Sequence, residues 1–509
     1  MKRIRAAAFG SALLASVGIA SAQAAPDPAT QSRVIAMRIW DTQPVGTFNG
    51  VAYTRIAGAI EGVVDGREDV VGLGALPKNA QGQYSYSSEF EIIEPSVGEL
   101  NNEVIFIDAE NRGGAVMLNL LNEAGVAGPP SRAVYREGIG NGFLQRYATS
   151  YARVQWQTNI SKGVPATAQG IGLVIMRDFA RMLAGHTERP AGYNDAAYGK
   201  LILGGKSQSA WFVNVFVAEG FNVEPTTGKG IFQAALAVDG LGHWMALNTL
   251  AAKHGIPQAP YIGPNEKPLA AAALLIRPAS DPLLIDTAAY TDFYRLRASL
   301  SDAAITTAKY RRYDIPTAHA PATPPIGQGA FDDCNNGRAI PLNPISMSPY
   351  VRAQLLGAEK AIGVKTAQNA VSLPPSTVFK LGAALASTAN FNPLPGTVLQ
   401  VPEVDANAMP VGGVRFPESL HPLGKPFPVS IAPVSTASID ATCGNRGGFQ
   451  PFTKAELTAK YGTKDRYLTL YRQALRPLVQ QGFLLAEDEP PMLEDAGYLW
   501  DNAENYLAR

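Results

Sequence analysis

The sequence is sparing with several things that specialised proteins use freely. Its 509 residues hold two cysteines and five histidines, and Lys+Arg and Asp+Glu are equal at 43 each. With no basic surplus and no run of like charges, nothing marks a nucleic-acid or anionic-membrane partner. Neither cysteine stands in a C-x-x-C pair or beside a histidine, which leaves a thiol-rich metal site and a thiol nucleophile without support. Beyond the first residues, no segment is long and uncharged enough to supply the ~20 residues of a spanning helix. The histidine shortage also limits where acid–base chemistry can sit, to His186, His243, His254, His319 and His421.

What is present begins with a leader. Lys2, Arg3 and Arg5 form a basic start, Ala6 to Ile19 an apolar stretch, and Ala22-Gln-Ala24 a small-residue cleavage site before Ala25, so residues 1–24 read as a signal peptide. The mature protein is expected in a bacterial periplasm or outside the cell. In that oxidising setting Cys334 and Cys443 are expected to form one disulfide, with two separate buried thiols as the alternative.

Residues 25–100 read as a β-rich segment packed on the core, with alternating runs at Val34–Trp40 and Ser87–Ile93 and turn signals at Asp65-Gly66 and Asn79–Gly82. Residues 101–372 read as the catalytic core. Val104–Asp108 is a compact strand followed by a glycine-bearing loop, Tyr151–Gln157 a second strand, and Ile171–Ala184 a helix by its apolar spacing. Further strands are expected near Leu201, before Val238, at Leu283–Thr287 and at Lys309–Tyr313, and a helix at Pro349–Ile362. The alternation predicts a largely parallel sheet with helices on both faces. Residues 373–509 are proline-rich and then helical (454–461 and 466–481), a C-terminal extension packed on the core.

The densest signal is Leu201-Ile-Leu-Gly-Gly-Lys-Ser-Gln-Ser-Ala-Trp-Phe212: an apolar run, a glycine turn, Ser207, then a helical pattern. A serine in a strained strand-to-helix turn projects its hydroxyl clear of the sheet while its own helix points N–H groups at the reacting carbonyl. The usual spelling is G-x-S-x-G; here Ser209 takes the last place. A glycine turn of any α/β protein is the alternative reading of this stretch by itself. A nucleophilic serine also needs a base and an acid that holds the base's tautomer. His319, in a loop beyond the Tyr310–Tyr313 strand, is the histidine that follows in the required order, and Asp292, just after the Leu283–Thr287 strand, is the acid.

These residues resemble a bacterial alpha/beta hydrolase domain family with a G-x-S-Q-S elbow. The likeness is carried by Tyr84–Phe90, Glu110-Asn-Arg-Gly113, Gly204–Ala210, Thr291-Asp-Phe-Tyr294, Tyr313–His319, Pro374-Pro-Ser376, Gly412–Pro417 and Asp465–Leu468. Asp292 stands where the family often has Glu. The resemblance implies an alpha/beta-hydrolase fold and a Ser207–Asp292–His319 triad. It also implies an oxyanion hole formed by the N–H of Gln208 and one in the Asn111–Gly114 loop, at Arg112 or Gly113. Trp156, Trp211 and His243 are candidate pocket residues, with packing in the core as their alternative. The expected activity is cleavage of a small or polymeric carboxylic ester without a cofactor. Acyl transfer, lactone or polyester cleavage, and a non-catalytic binding protein are the alternatives.

Overall fold

The computed structural model describes residues 31–96, 103–124, 139–158, 163–164, 167–191, 193, 197–259, 266–301, 307–319, 343–385, 399–428 and 448–503. The expected leader at 1–24 and both cysteines, with their expected bridge, lie outside the described residues.

Nine strands form one sheet: Arg33–Phe48 (β1), Val51–Val64 (β2), Tyr84–Pro95 (β3), Val104–Ala109 (β4), Ser150–Val154 (β5), Lys200–Lys206 (β6), Ala234–Val238 (β7), Leu283–Ala289 (β8) and Tyr310–Ile315 (β9), in the order β1-β2-β3-β5-β4-β6-β7-β8-β9. The first three strands and β5 pair antiparallel, and every pairing from β5 to β9 is parallel. The N-terminal strands therefore extend the central sheet itself. Asn49 and Gly50 close the β1–β2 hairpin with φ of 47° and 86°, the left-handed pair that a two-residue hairpin turn favours.

The central parallel strands carry mostly apolar residues on both sides because both faces of the sheet are covered. On β4, Ile105 and Ile107 point into one core while Val104 and Phe106 point into the other. On β7, Ala235 and Ala237 share the first core, and Ala234, Leu236 and Val238 the second. Helices Val116–Asn122 (α1), Phe143–Arg146 (α2), Ile171–Leu183 (α3), Gln208–Glu219 (α4) and Asn248–Lys253 (α5) divide between these faces. α3 and α4 pack in the first core and α1 in the second. After the four-residue helix Asp292–Arg295 (α6) come Ser348–Ala361 (α7), Pro417–Leu420 (α8), Lys454–Tyr461 (α9), Lys464–Gln481 (α10) and Glu489–Asp501 (α11). Residues of α7, α10 and α11 join Phe106 and Ile202 in the second core, so the C-terminal chain covers that face of the sheet. Among the described residues no helix is long and apolar enough to cross a membrane.

Candidate active site

β6 ends in Gly204-Gly205-Lys206 and α4 starts at Gln208, which leaves Ser207 alone to make the turn. Its φ of 60° and ψ of −123° lie where a residue with a side chain is strained. The turn is held from outside, since the Ser207 N–H donates to the carbonyl of Val238 on β7 at 2.8 Å. Gly205 is required by close approach: a Cβ there would lie 2.4 Å from the Ser209 carbonyl oxygen and 2.9 Å from the Ala210 nitrogen. Ser209 is more than a small residue. Its fully buried Oγ accepts the N–H of Lys206 at 3.0 Å and donates to the Lys206 carbonyl at 2.9 Å, clasping the turn across its base.

The aspartate and the histidine come from strands farther along the sheet, β8 and β9. Asp292 opens α6 just beyond β8, and His319 follows β9; both are buried. Asp292 Oδ1 lies 2.8 Å from His319 Nδ1, while its Oδ2 accepts the N–H of Ala289 at 2.9 Å. A carboxylate facing Nδ1 puts the proton of the neutral ring there and leaves Nε2 as the basic nitrogen. The histidine loop is folded back over β8 by two further bonds. The His319 N–H donates to Thr291 Oγ1 at 2.8 Å and the Tyr290 N–H to the Thr317 carbonyl at 3.0 Å.

After β4, residues 111–114 form a tight turn in which Asn111 and Gly114 exchange N–H to carbonyl bonds at 3.0 Å each. Arg112 and Gly113 both have positive φ, 53° and 82°. That geometry spends the end N–H groups within the turn, while among the described residues those of Arg112 and Gly113 donate to no backbone acceptor. Gln208 begins a helix, so its N–H also lacks an intrahelical acceptor. The turn is fastened to the serine turn: Asn111 Nδ2 donates to the Lys206 carbonyl at 3.0 Å and Arg112 Nε to Gln208 Oε1 at 3.2 Å. Arg153 on β5 secures the other side, donating to Glu110 at 2.6 Å and to the Gly113 carbonyl at 3.1 Å. Asp108, at the end of β4, accepts the N–H of Met117 at 3.0 Å and of Leu118 at 3.3 Å and so caps α1, while burial pushes its carboxyl up to about 8.

Of the residues expected to line a pocket, Trp156 is packed in the core, stacked on Phe212 with centroids 4.0 Å apart. It touches the site through its indole N–H, which donates to the Glu110 carbonyl at 2.9 Å. Trp211 and His243 stack on each other at 4.6 Å, and both are buried. The arrangement adds two residues that the sequence reading passed over, Lys206 and Asp239. The Lys206 ammonium donates to the His319 carbonyl oxygen and lies 2.8 Å from Asp239 Oδ2. Burial raises the Asp239 carboxyl above its usual range, and Lys206 opposes that rise. Asp239, Asp292 and His319 bring potential ligand atoms within 4.8 Å of one another. The set fits a metal poorly, because His319 Nδ1 is engaged by Asp292 and a fixed ammonium already sits on Asp239.

Among solved structures the chain is similar to a CE15 glucuronoyl esterase from Teredinibacter turnerae, at 13% identity over 51% of this chain and 64% of that one, with a TM-score of 0.26. It is also similar to a glucuronoyl esterase from Solibacter usitatus, at 10% identity over 52% and 72% of the two chains, with a TM-score of 0.27. A third likeness is to a rice cell wall degrading esterase, LipA, from Xanthomonas oryzae, at 9% identity over 44% and 57%, with a TM-score of 0.23. No curated protein matches the chain in sequence. Residues 123–494, which include the serine turn, the aspartate and the histidine, match the family described as alpha/beta hydrolase domain. The chain belongs to the alpha/beta hydrolase domain family.

Proposed function

We propose that this protein is a serine hydrolase that cleaves carboxylic esters through an acyl-enzyme, with Ser207 as nucleophile, His319 as base and Asp292 as the acid that orients it. The observation that carries the reading is the strained serine turn, φ 60° and ψ −123°, in a chain that also buries a His319–Asp292 contact of 2.8 Å beyond β8 and β9. Strain of this kind persists only where the surroundings hold it, and here Val238, Ser209 and Asn111 do so.

In the proposed reaction Ser207 Oγ attacks the ester carbonyl as its proton passes to His319 Nε2. The oxyanion takes hydrogen bonds from the N–H of Gln208 and from the N–H of Arg112 or Gly113. Collapse expels the alcohol, which leaves with the proton from His319. Water then repeats the sequence on the acyl-serine and releases the acid. Asp292 stays ionised and stabilises the imidazolium formed in each half. No cofactor enters these steps. The leader at residues 1–24 supports export as part of the same proposal, so the ester is one met in the periplasm or outside the cell.

The test is labelling by a fluorophosphonate probe together with hydrolysis of an aryl ester. Wild-type protein is expected to take up one probe at Ser207 and to turn over the ester, and Ser207→Ala to lose both with an unchanged melting temperature. Labelling or turnover that survives in Ser207→Ala refutes the assignment.

A further inference from the structure

The proposed reaction uses Asp292 and His319 but leaves a second buried charge pair beside them without a task. Lys206 fills the variable place between Gly205 and Ser207 and is 8% exposed; Asp239, just beyond β7, is fully buried with φ 56°. Asp239 is anchored by its N–H, which donates to the Thr287 carbonyl at 2.7 Å. An ion pair in such a place contributes little to stability over apolar residues of the same size, because both groups lose their water. Its placement is better explained by what it touches. The Lys206 ammonium holds the carbonyl of the histidine itself, and the Asp239 carboxylate lies in one cluster with Asp292 and His319, within 4.8 Å.

The charged groups that face His319 include Asp292 after β8, Asp239 after β7 and Lys206 at the end of β6. Two uncompensated carboxylates beside one imidazole favour its protonated form strongly, and a protonated histidine takes no proton from serine. With Lys206 bound to Asp239, the charge of that second carboxylate is offset. We propose that Lys206 and Asp239 form a charge-balanced positioning pair for His319. Lys206 fixes the histidine loop against the serine turn, and the pair together sets the pH at which His319 becomes a base. This rests on His319 being the general base of the proposed reaction.

The pair makes a signed prediction. Loss of the lysine charge raises the proton affinity of His319, so the acid limb of activity moves to higher pH. Loss of the aspartate charge leaves the ammonium unopposed and moves the limb to lower pH. Removal of both restores the balance. The experiment measures kcat/KM for an aryl ester against pH in wild type, Lys206→Met, Asp239→Asn and the double variant. The rate of fluorophosphonate labelling serves as a second readout where turnover is slow. The single variants are expected to shift in opposite directions by about one pH unit or more, and the double variant to return to within about 0.3 unit of wild type. Lys206→Arg, which keeps the charge, should keep the wild-type limb. If Lys206→Met does not fold, Asp239→Asn and Lys206→Arg decide the matter by the same signs. Shifts in one direction only, or limbs that stay in place while rates fall, overturn the proposal and leave the pair merely structural. Undiminished turnover in Ser207→Ala, run alongside, marks instead a failure of the functional reading beneath it.

Discussion

Gly205→Ala puts the geometry of the serine turn to a quantitative test. The added methyl would stand 2.4 Å from the Ser209 carbonyl oxygen and 2.5 Å from its carbon, where ordinary contact starts at 3.4 Å. Both atoms are backbone at the start of α4, so no side-chain rotation relieves the overlap. The helix must retreat by about 1 Å, and Gln208 retreats with it. A misplacement of that size at a reacting centre costs roughly 10²-fold in rate, or about 2.7 kcal/mol of barrier. The expected result is therefore a kcat/KM for an aryl ester about a hundredfold below wild type. Gly204→Ala is the comparison. Its methyl would meet the ring of Phe106, on the far side of the strand, at 2.0 Å. The overlap there is with a core side chain, so the larger effect should be on melting temperature and the smaller on turnover. A Gly205→Ala enzyme within threefold of wild type, correctly folded, would refute the argument that close backbone approach positions the serine.

Asp292→Asn is expected to keep the fold and to lower kcat by roughly 10⁴, because the amide no longer selects the tautomer with Nδ1 protonated; steady-state kinetics on the purified variant check this. Arg112→Gly should retain activity within about threefold, since φ 53° suits glycine and the N–H remains, whereas Arg112→Pro, which has neither, should lose at least about tenfold. Asp108 governs a pH effect on stability. Its folded pKa, about 8 against 3.8, is raised, so its contribution is fully present below pH 3.8 and is lost as the pH rises through about 8. Asp108→Asn, which resembles the protonated acid, should flatten the fall in melting temperature between pH 5 and 8; an unchanged slope would show that Asp108 is not its source.

The parts of the fold that were legible in the sequence are those whose causes are local. The strands at β4, β6, β7 and β8 carry apolar runs because both their faces are covered, and α3 carries its spacing openly. β2 was not legible, because its small residues hide its pattern. Gly58 makes room for the Arg38 carbonyl on β1 and the ring of Phe90 on β3, and Gly62 for the ring of Tyr86 on β3, and those requirements come from the neighbouring strands. In the site, the order of Ser207, Asp292 and His319 was readable from the elements they end. Lys206 and Asp239 were not, since their meeting joins residues on different strands and nothing in a G-K-S triplet says where the lysine reaches. Trp156 shows the same limit in reverse. An aromatic at a strand end suggests a pocket wall, but its indole serves the Glu110 carbonyl.

The spacing of the sheet gives the lysine's reach a further meaning. Ser207 ends β6 and His319 follows β9, three strands away, a lateral span of about 14 Å at the usual separation of paired strands. For the proposed proton transfer between them, the loop after β9 has to travel back across the ends of β8 and β7. The Thr291 and Thr317 bonds bring it over β8, and the Lys206 ammonium receives it at β6. In the proposed reaction the approach of base to nucleophile therefore depends on a tether anchored beside Ser207.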